Sequence, residues 1–152
     1  MKVELLLLTE TAEAQDVLDQ VMPFASGTEV VVFHSPRSQY GDRQIWKIAD
    51  ERRWKIPTLL FINAETRKGD YRETVYQLSG ADITTDKIAD IIIYLRDVVE
   101  VAPGEYVKGG KEVQKNADGF FPIGTQTFGF KLPWWAYIAA FFLILNTLED
   151  EK

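Results

Sequence analysis

Along the first hundred residues the apolar positions fall into blocks, each with the period of one element type. Val3 to Leu8 is a short, mostly apolar run, the pattern of a strand covered on both faces. Ala14, Val17, Leu18, Val21 and Met22 recur at helical spacing, and Pro23 and Gly27 close that stripe. Val30-Val31-Val32-Phe33 reads as a second buried strand, broken by Ser35-Pro36-Arg37-Ser38. From about Gly41 to Trp54, Ile45, Ile48 and Ala49 mark the apolar side of a charged helix. Leu59 to Ile62 gives a third strand, and Asn63 to Gly69 a polar turn. Thr74 to Leu78 alternates as a half-exposed fourth strand. Thr84 or Thr85 then caps a helix whose buried stripe is Ile88, Ile91, Ile92, Leu95 and Val99. The predicted order is β-α-β-α-β-β-α, an α/β domain over residues 1–100.

Beyond Glu100 this regularity stops. Residues 101–131 hold six of the ten glycines, with Pro103 and Pro122, and show no sustained period. An irregular stretch of that length is a linker or a docking segment. Its aromatics, among them Tyr106, Phe120 and Phe121, favour docking, because flexible linkers are aromatic-poor. From Leu132 to Leu148 there is no charge in 17 residues, and residues 149–152 form an acidic tail. As a helix this run measures about 25 Å, against a hydrocarbon core of about 30 Å. Trp134, Trp135 and Tyr137 gather at one end, with Lys131 beside them and Phe141 and Phe142 further in, as in an interfacial aromatic belt. A surface-lying helix needs a polar face, which the run lacks before Asn146, and a helix folded back on the domain would need cover all round. A single transmembrane helix over 132–148 is the reading adopted. Lys108, Lys111, Lys115 and Lys131 precede it and only Lys152 follows, which puts the N-terminal domain on the cytoplasmic side.

Charge sharpens the class. The chain of 152 residues carries a net charge of −6, and residues 1–100 hold 12 basic against 17 acidic side chains. Nucleic acid is thereby disfavoured as a partner. There is no cysteine, which excludes disulfides, thiolate chemistry and cysteine metal sites. The single histidine, His34, cannot build a His-rich metal centre, and a structural or partly exposed role is expected. Arg52, Arg53 and Lys55 suit a solvated helix end. Trp46 and Trp54 are expected at the core or its edge. No catalytic constellation, phosphate loop or cofactor signature is present.

The element order, with Ala49-Asp50-Glu51-Arg52-Arg53-Trp54-Lys55-Ile56-Pro57-Thr58-Leu59-Leu60-Phe61 at its centre and Gln77-Leu78-Ser79-Gly80-Ala81 before the last helix, resembles the thioredoxin superfamily. The resemblance covers residues 1–100 and implies a cis peptide before Pro57. It also implies that the family's redox motif would fall within Leu8-Thr9-Glu10-Thr11-Ala12, where no cysteine stands. Glu10 and Glu13 are read instead as partners of the first helix's dipole. The expected function is that of a redox-inactive, membrane-anchored accessory or scaffold subunit. Its partners would be the lipid bilayer and other subunits of a respiratory, photosynthetic or transport complex, which the segment's Phe120 and Phe121 and the apolar run would touch. The alternative is a peptide- or glutathione-binding module or assembly factor that uses Ile56, Pro57 and Thr58 for strand addition without redox chemistry.

Overall fold

The computed structural model describes residues 1–27, 29–66, 70–123 and 138. It is a mixed α/β structure built on a four-stranded mixed sheet. The strands are β1 (Val3–Thr9), β2 (Val31–Pro36), β3 (Thr58–Asn63) and β4 (Thr74–Ser79), in the spatial order β2-β1-β3-β4. β1 and β2 run parallel, while β3 runs against both β1 and β4.

The central position of β1 explains its leucines. Leu5 and Leu7 enter one core with Leu59 and Phe61 of β3, and Leu8 enters a second core with Leu60 and Ile62 on the opposite face. Over the first core lie α1 (Gln15–Val21), the 3-10 turn Met22–Ser26 and α4 (Thr85–Arg96), contributing Val21, Phe24, Ile88, Ile91, Ile92 and Leu95. Over the second lies α3 (Gln44–Glu51), through Ile45, Trp46 and Ala49. The helix expected from about Gly41 to Trp54 is shorter, beginning only at Gln44 and ending at Glu51, and a separate helical turn, α2 (Arg37–Tyr40), precedes it.

Helix ends follow local chemistry. After α3, Arg53 adopts φ 54°, its N–H donates to Asp50 O (3.1 Å) and the Trp54 N–H to Ala49 O (2.9 Å). These are the two bonds of a Schellman motif, with arginine where glycine is usual. The start of α4 departs from expectation, because neither Thr84 nor Thr85 caps it through its own side chain. Gln20 at the end of α1 does so from outside, its Oε1 accepting from the Thr85 N–H and the Thr85 hydroxyl, each at 3.0 Å.

Two differences concern exposure and order. β2 is an edge strand, not a buried one; Val31 and Phe33 are 42% and 43% exposed, because β1 is its only neighbour among the described residues. The second difference lies past α4. That helix stops at Arg96, and Val99 stands exposed on a new strand instead of closing the buried stripe. β5 (Val98–Ala102), β6 (Glu105–Lys108) and β7 (Lys111–Val113) form an antiparallel meander. Where a linker was expected there are two hairpins. Gly109 and Gly110, at φ 58° and 78°, form the second turn, which needs left-handed backbone at both central positions.

The chain then returns to the sheet. The Asn116 side chain accepts from the N–H groups of Asp118 and Phe120, each at 3.1 Å, and the Phe121 N–H donates to Val75 O at 3.1 Å. Phe121 is fully buried and meets Tyr106 edge-on, with ring centroids 5.0 Å apart. The outer edge of β4 is therefore occupied at Val75, whereas that of β2 has no strand neighbour among the described residues.

Candidate functional site

The ends of β1, β2 and β4 and the start of β3 meet at one rim of the sheet. Leu8 lies between Ser35 and Thr58 in register, and Thr58 pairs with Ser79. Both the turn singled out by sequence and a groove that sequence did not indicate open near this rim.

At the turn, the Ile56–Pro57 peptide is cis. The Pro57 carbonyl and the Thr58 hydroxyl beside it are already partnered. Pro57 O accepts the Gly80 N–H at 2.8 Å. Thr58 is fully buried, and its Oγ1 lies 2.6 Å from Ser79 Oγ, donates to Leu78 O at 3.2 Å and accepts from Gln77 Nε2 at 3.1 Å. Ile56 packs against the second core beside Trp54. Gly80 has φ 58°, and a Cβ there would lie 3.0 Å from Lys55 Cε, so the lysine stem covers the turn. Ile56, Pro57 and Thr58 are brought together, but two of the three already have their hydrogen-bonding groups engaged within the fold.

Where the resemblance would seat a redox motif, an ion network stands instead. Glu10 does not serve the α1 dipole: that helix begins at Gln15, and Asp16 is the acidic residue of its first turn. Glu10 pairs with Arg37 at 3.0 Å. The same guanidinium binds Asp50 bidentately at 3.0 and 2.9 Å and lies 4.3 Å over the Trp46 ring. Hydrogen bonding from Arg37 holds the Asp50 carboxyl below its ordinary value. Glu13 meets α1 only through its carbonyl, which accepts from the Gln15 N–H at 2.7 Å. This arrangement ties the β1–α1 loop to α2 and α3 and has no nucleophile.

His34 is half-buried, and burial lowers its pKa, so it is neutral at pH 7. Thr9 Oγ1 donates to Thr11 O and lies 2.7 Å from His34 Nε2. A hydroxyl has one proton, so Nε2 carries the hydrogen of that contact and Nδ1 remains an acceptor. No cluster of three metal-binding side chains occurs among the described residues.

No family model, curated protein or solved structure matches this chain.

The groove, of about 550 Å³, runs between β2, the start of α3 and Tyr71. Its floor is apolar, from Leu6, Phe33, Ile45 and Ile62. Ser35, Arg43 and Gln44 add polar side chains to its lining. Ser35 is 2% exposed, and its hydroxyl has no hydrogen-bond partner among the described residues. Its constituents come from five separate stretches of chain, and the one sequence signal is the Ser35-Pro36 break, here the continuing end of β2.

Of the residues expected to meet membrane or partner, Phe121 is a core residue and unavailable for that role, while Phe120 is half-buried against Tyr76, 6.2 Å between ring centroids. Trp134, Trp135, Tyr137, Phe141 and Phe142 lie outside the described residues. Trp46 is fully buried, and Trp54 packs at the margin of the second core.

Proposed function

We propose that this chain is a redox-inactive, thioredoxin-like accessory or scaffold subunit of a larger membrane assembly of respiratory, photosynthetic or transport type, anchored through residues 132–148 with its folded domain on the cytoplasmic side. The observation that carries the reading is the joint placement of the cis-proline at the head of β3, Gly80 between β4 and α4, and the Glu10–Arg37–Asp50 network in the cysteine-free loop. The element order supports the same resemblance, with helices on both faces of one four-stranded sheet. A domain of this kind with no thiol contributes surface and stability to its surroundings, not chemistry.

Support for the anchor rests on composition: 17 residues without charge, headed by Trp134, Trp135 and Tyr137 and preceded by Lys131. Among the described residues no helix is long and apolar enough to cross a membrane, and the run itself lies outside them apart from Ile138. Fractionation of native membranes with alkaline carbonate tests the anchor, and native electrophoresis in mild detergent tests the assembly. Retention in the pellet and migration within a larger complex are expected. Release into the supernatant and migration as a free monomer overturn the proposal.

One observation favours a second reading. Ile138 is helical, half-buried and packed against the main core, which supports an apolar run that covers its own domain. The same carbonate step separates the two, because a domain-packed run leaves the protein in the supernatant. Peptide or glutathione capture at Ile56–Thr58 would have to use the Ile56 backbone, since the Pro57 carbonyl and the Thr58 hydroxyl already have partners.

A further inference from the structure

The groove beside β2 combines three features that a purely structural cleft does not need. First, α3 opens into it without a cap: Arg43 at the N-cap makes no side-chain bond to the helix, and no acidic residue stands in the first turn. The Trp46 N–H donates to Arg43 O at 3.0 Å, which leaves the N–H groups of Gln44 and Ile45 without an intrahelical acceptor and carrying partial positive charge. Second, the Arg43 guanidinium stacks on Tyr40, 4.1 Å from the ring centroid, and has no carboxylate partner among the described residues. Stacking fixes the plane of the fork while leaving its edge N–H groups available. Third, the Ser35 hydroxyl is buried in the groove wall without a partner. A buried hydroxyl left unpaired is costly, a penalty that a bound acceptor removes. Asp42 precedes Arg43 but does not line the groove.

We propose that this groove binds a small amphipathic carboxylate. The carboxylate sits against Arg43 and the first turn of α3 and accepts a hydrogen bond from Ser35. The hydrophobic body lies on Leu6, Phe33, Ile45 and Ile62. A carboxylate suits the site because one guanidinium presents a planar, bidentate fork for one planar, singly charged head. The volume falls within the range of small-molecule sites, roughly 300–1,000 Å³. In a chain of net charge −6, an unpaired guanidinium above an apolar floor selects for such a ligand. This inference concerns a different part of the surface from the Pro57 turn and does not depend on the accessory reading.

The test is titration of the full-length, isotopically labelled chain in mild detergent with 4-phenylbutyrate, and with the uncharged 4-phenylbutyramide as control. Saturable amide shifts confined to residues 33–35 and 43–46 are expected, with the neutral probe at least about tenfold weaker. Arg43→Gln, at an exposed position that leaves the core intact, weakens the acid about tenfold and the neutral amide hardly at all. Ser35→Ala weakens the acid while raising thermal stability, since it removes an unpaired buried hydroxyl. Equal binding of acid and amide, unsaturable or scattered shifts, or an Arg43→Gln variant that binds the acid as well as the parent overturns the proposal. So does chemical-shift evidence that β2 pairs with a second copy and closes the groove.

Discussion

Truncating Phe121 to alanine decides whether the stretch beyond α4 belongs to the fold. The ring is fully buried, joins the same core as Leu5, Phe61 and Ile92, and stands at 89° to the Tyr106 ring with centroids 5.0 Å apart. Deleting a buried phenylalanine side chain costs about 3–5 kcal/mol where the cavity cannot collapse, and about 1 kcal/mol of that is the edge-to-face pair. The backbone bond from Phe121 N–H to Val75 O survives the substitution, so the loss reports packing. Whole domains are stable by only about 5–15 kcal/mol, and such a change is therefore visible globally. Amide hydrogen exchange on the full-length chain is the assay. If the meander and the core unfold together, protection at β1 and β3 falls by the same 3–5 kcal/mol as protection at β6. A loss below about 1 kcal/mol, or one confined to residues 98–123 with β1 and β3 unchanged, refutes the reasoning and makes that stretch a separable appendage.

Three further outcomes follow from local geometry. Asp90 has its pKa pushed up to about 6 by burial and by Asp86; with the folded value above the unfolded one, ionisation destabilises the fold as pH rises from 4 through 6. Asp90→Asn should gain about 1 kcal/mol at pH 7 after screening of a half-exposed group, a gain that vanishes below pH 4 in thermal melts. Arg53→Gly relieves left-handed backbone at the end of α3 and should raise stability by about 0.5–1 kcal/mol, read as a higher melting temperature. Gln20→Ala strips the Thr85 N–H of its acceptor and leaves the Thr85 hydroxyl the Gln20 carbonyl at 3.2 Å, for a loss of about 1–3 kcal/mol seen as faster amide exchange in the first turn of α4.

What could be read from the chain was what repeats over many positions. The leucines of β1, the continuous run of β3 and the isoleucines of α4 are each buried over enough residues to betray their period. The meander escaped because strands of five, four and three residues show too few alternations, and the Gly109–Gly110 pair that makes a tight turn looks like linker composition. β2 misled for another reason. A β-branched run is the same whether a strand is central or peripheral, and only the pairing of β3 with the far side of β1 leaves it at the edge. The groove has almost no local signature beyond the Ser35-Pro36 break. Ser35, Arg43 and Ile62 are separated along the chain and acquire a common wall through the parallel register of β1 with β2 and the seating of α3. Glu10 meets Arg37 and not the α1 dipole, because α1 begins five residues after it, beyond reach of the dipole's short range.

The two borders of the main sheet are unequal, and that inequality limits how this molecule can multiply. Phe121 blocks the β4 border at Val75, while the β2 border presents Val31 and Phe33 with no charged side chain in the strand. A building block with a single joinable border has a valence of one. Strand-to-strand joining through this sheet can produce a closed two-fold pair, and it ends there, since neither member offers a second border for a third. Deleting the segment that carries the Phe121 N–H, as opposed to truncating its ring, would raise the valence to two, turning a self-terminating contact into one able to propagate.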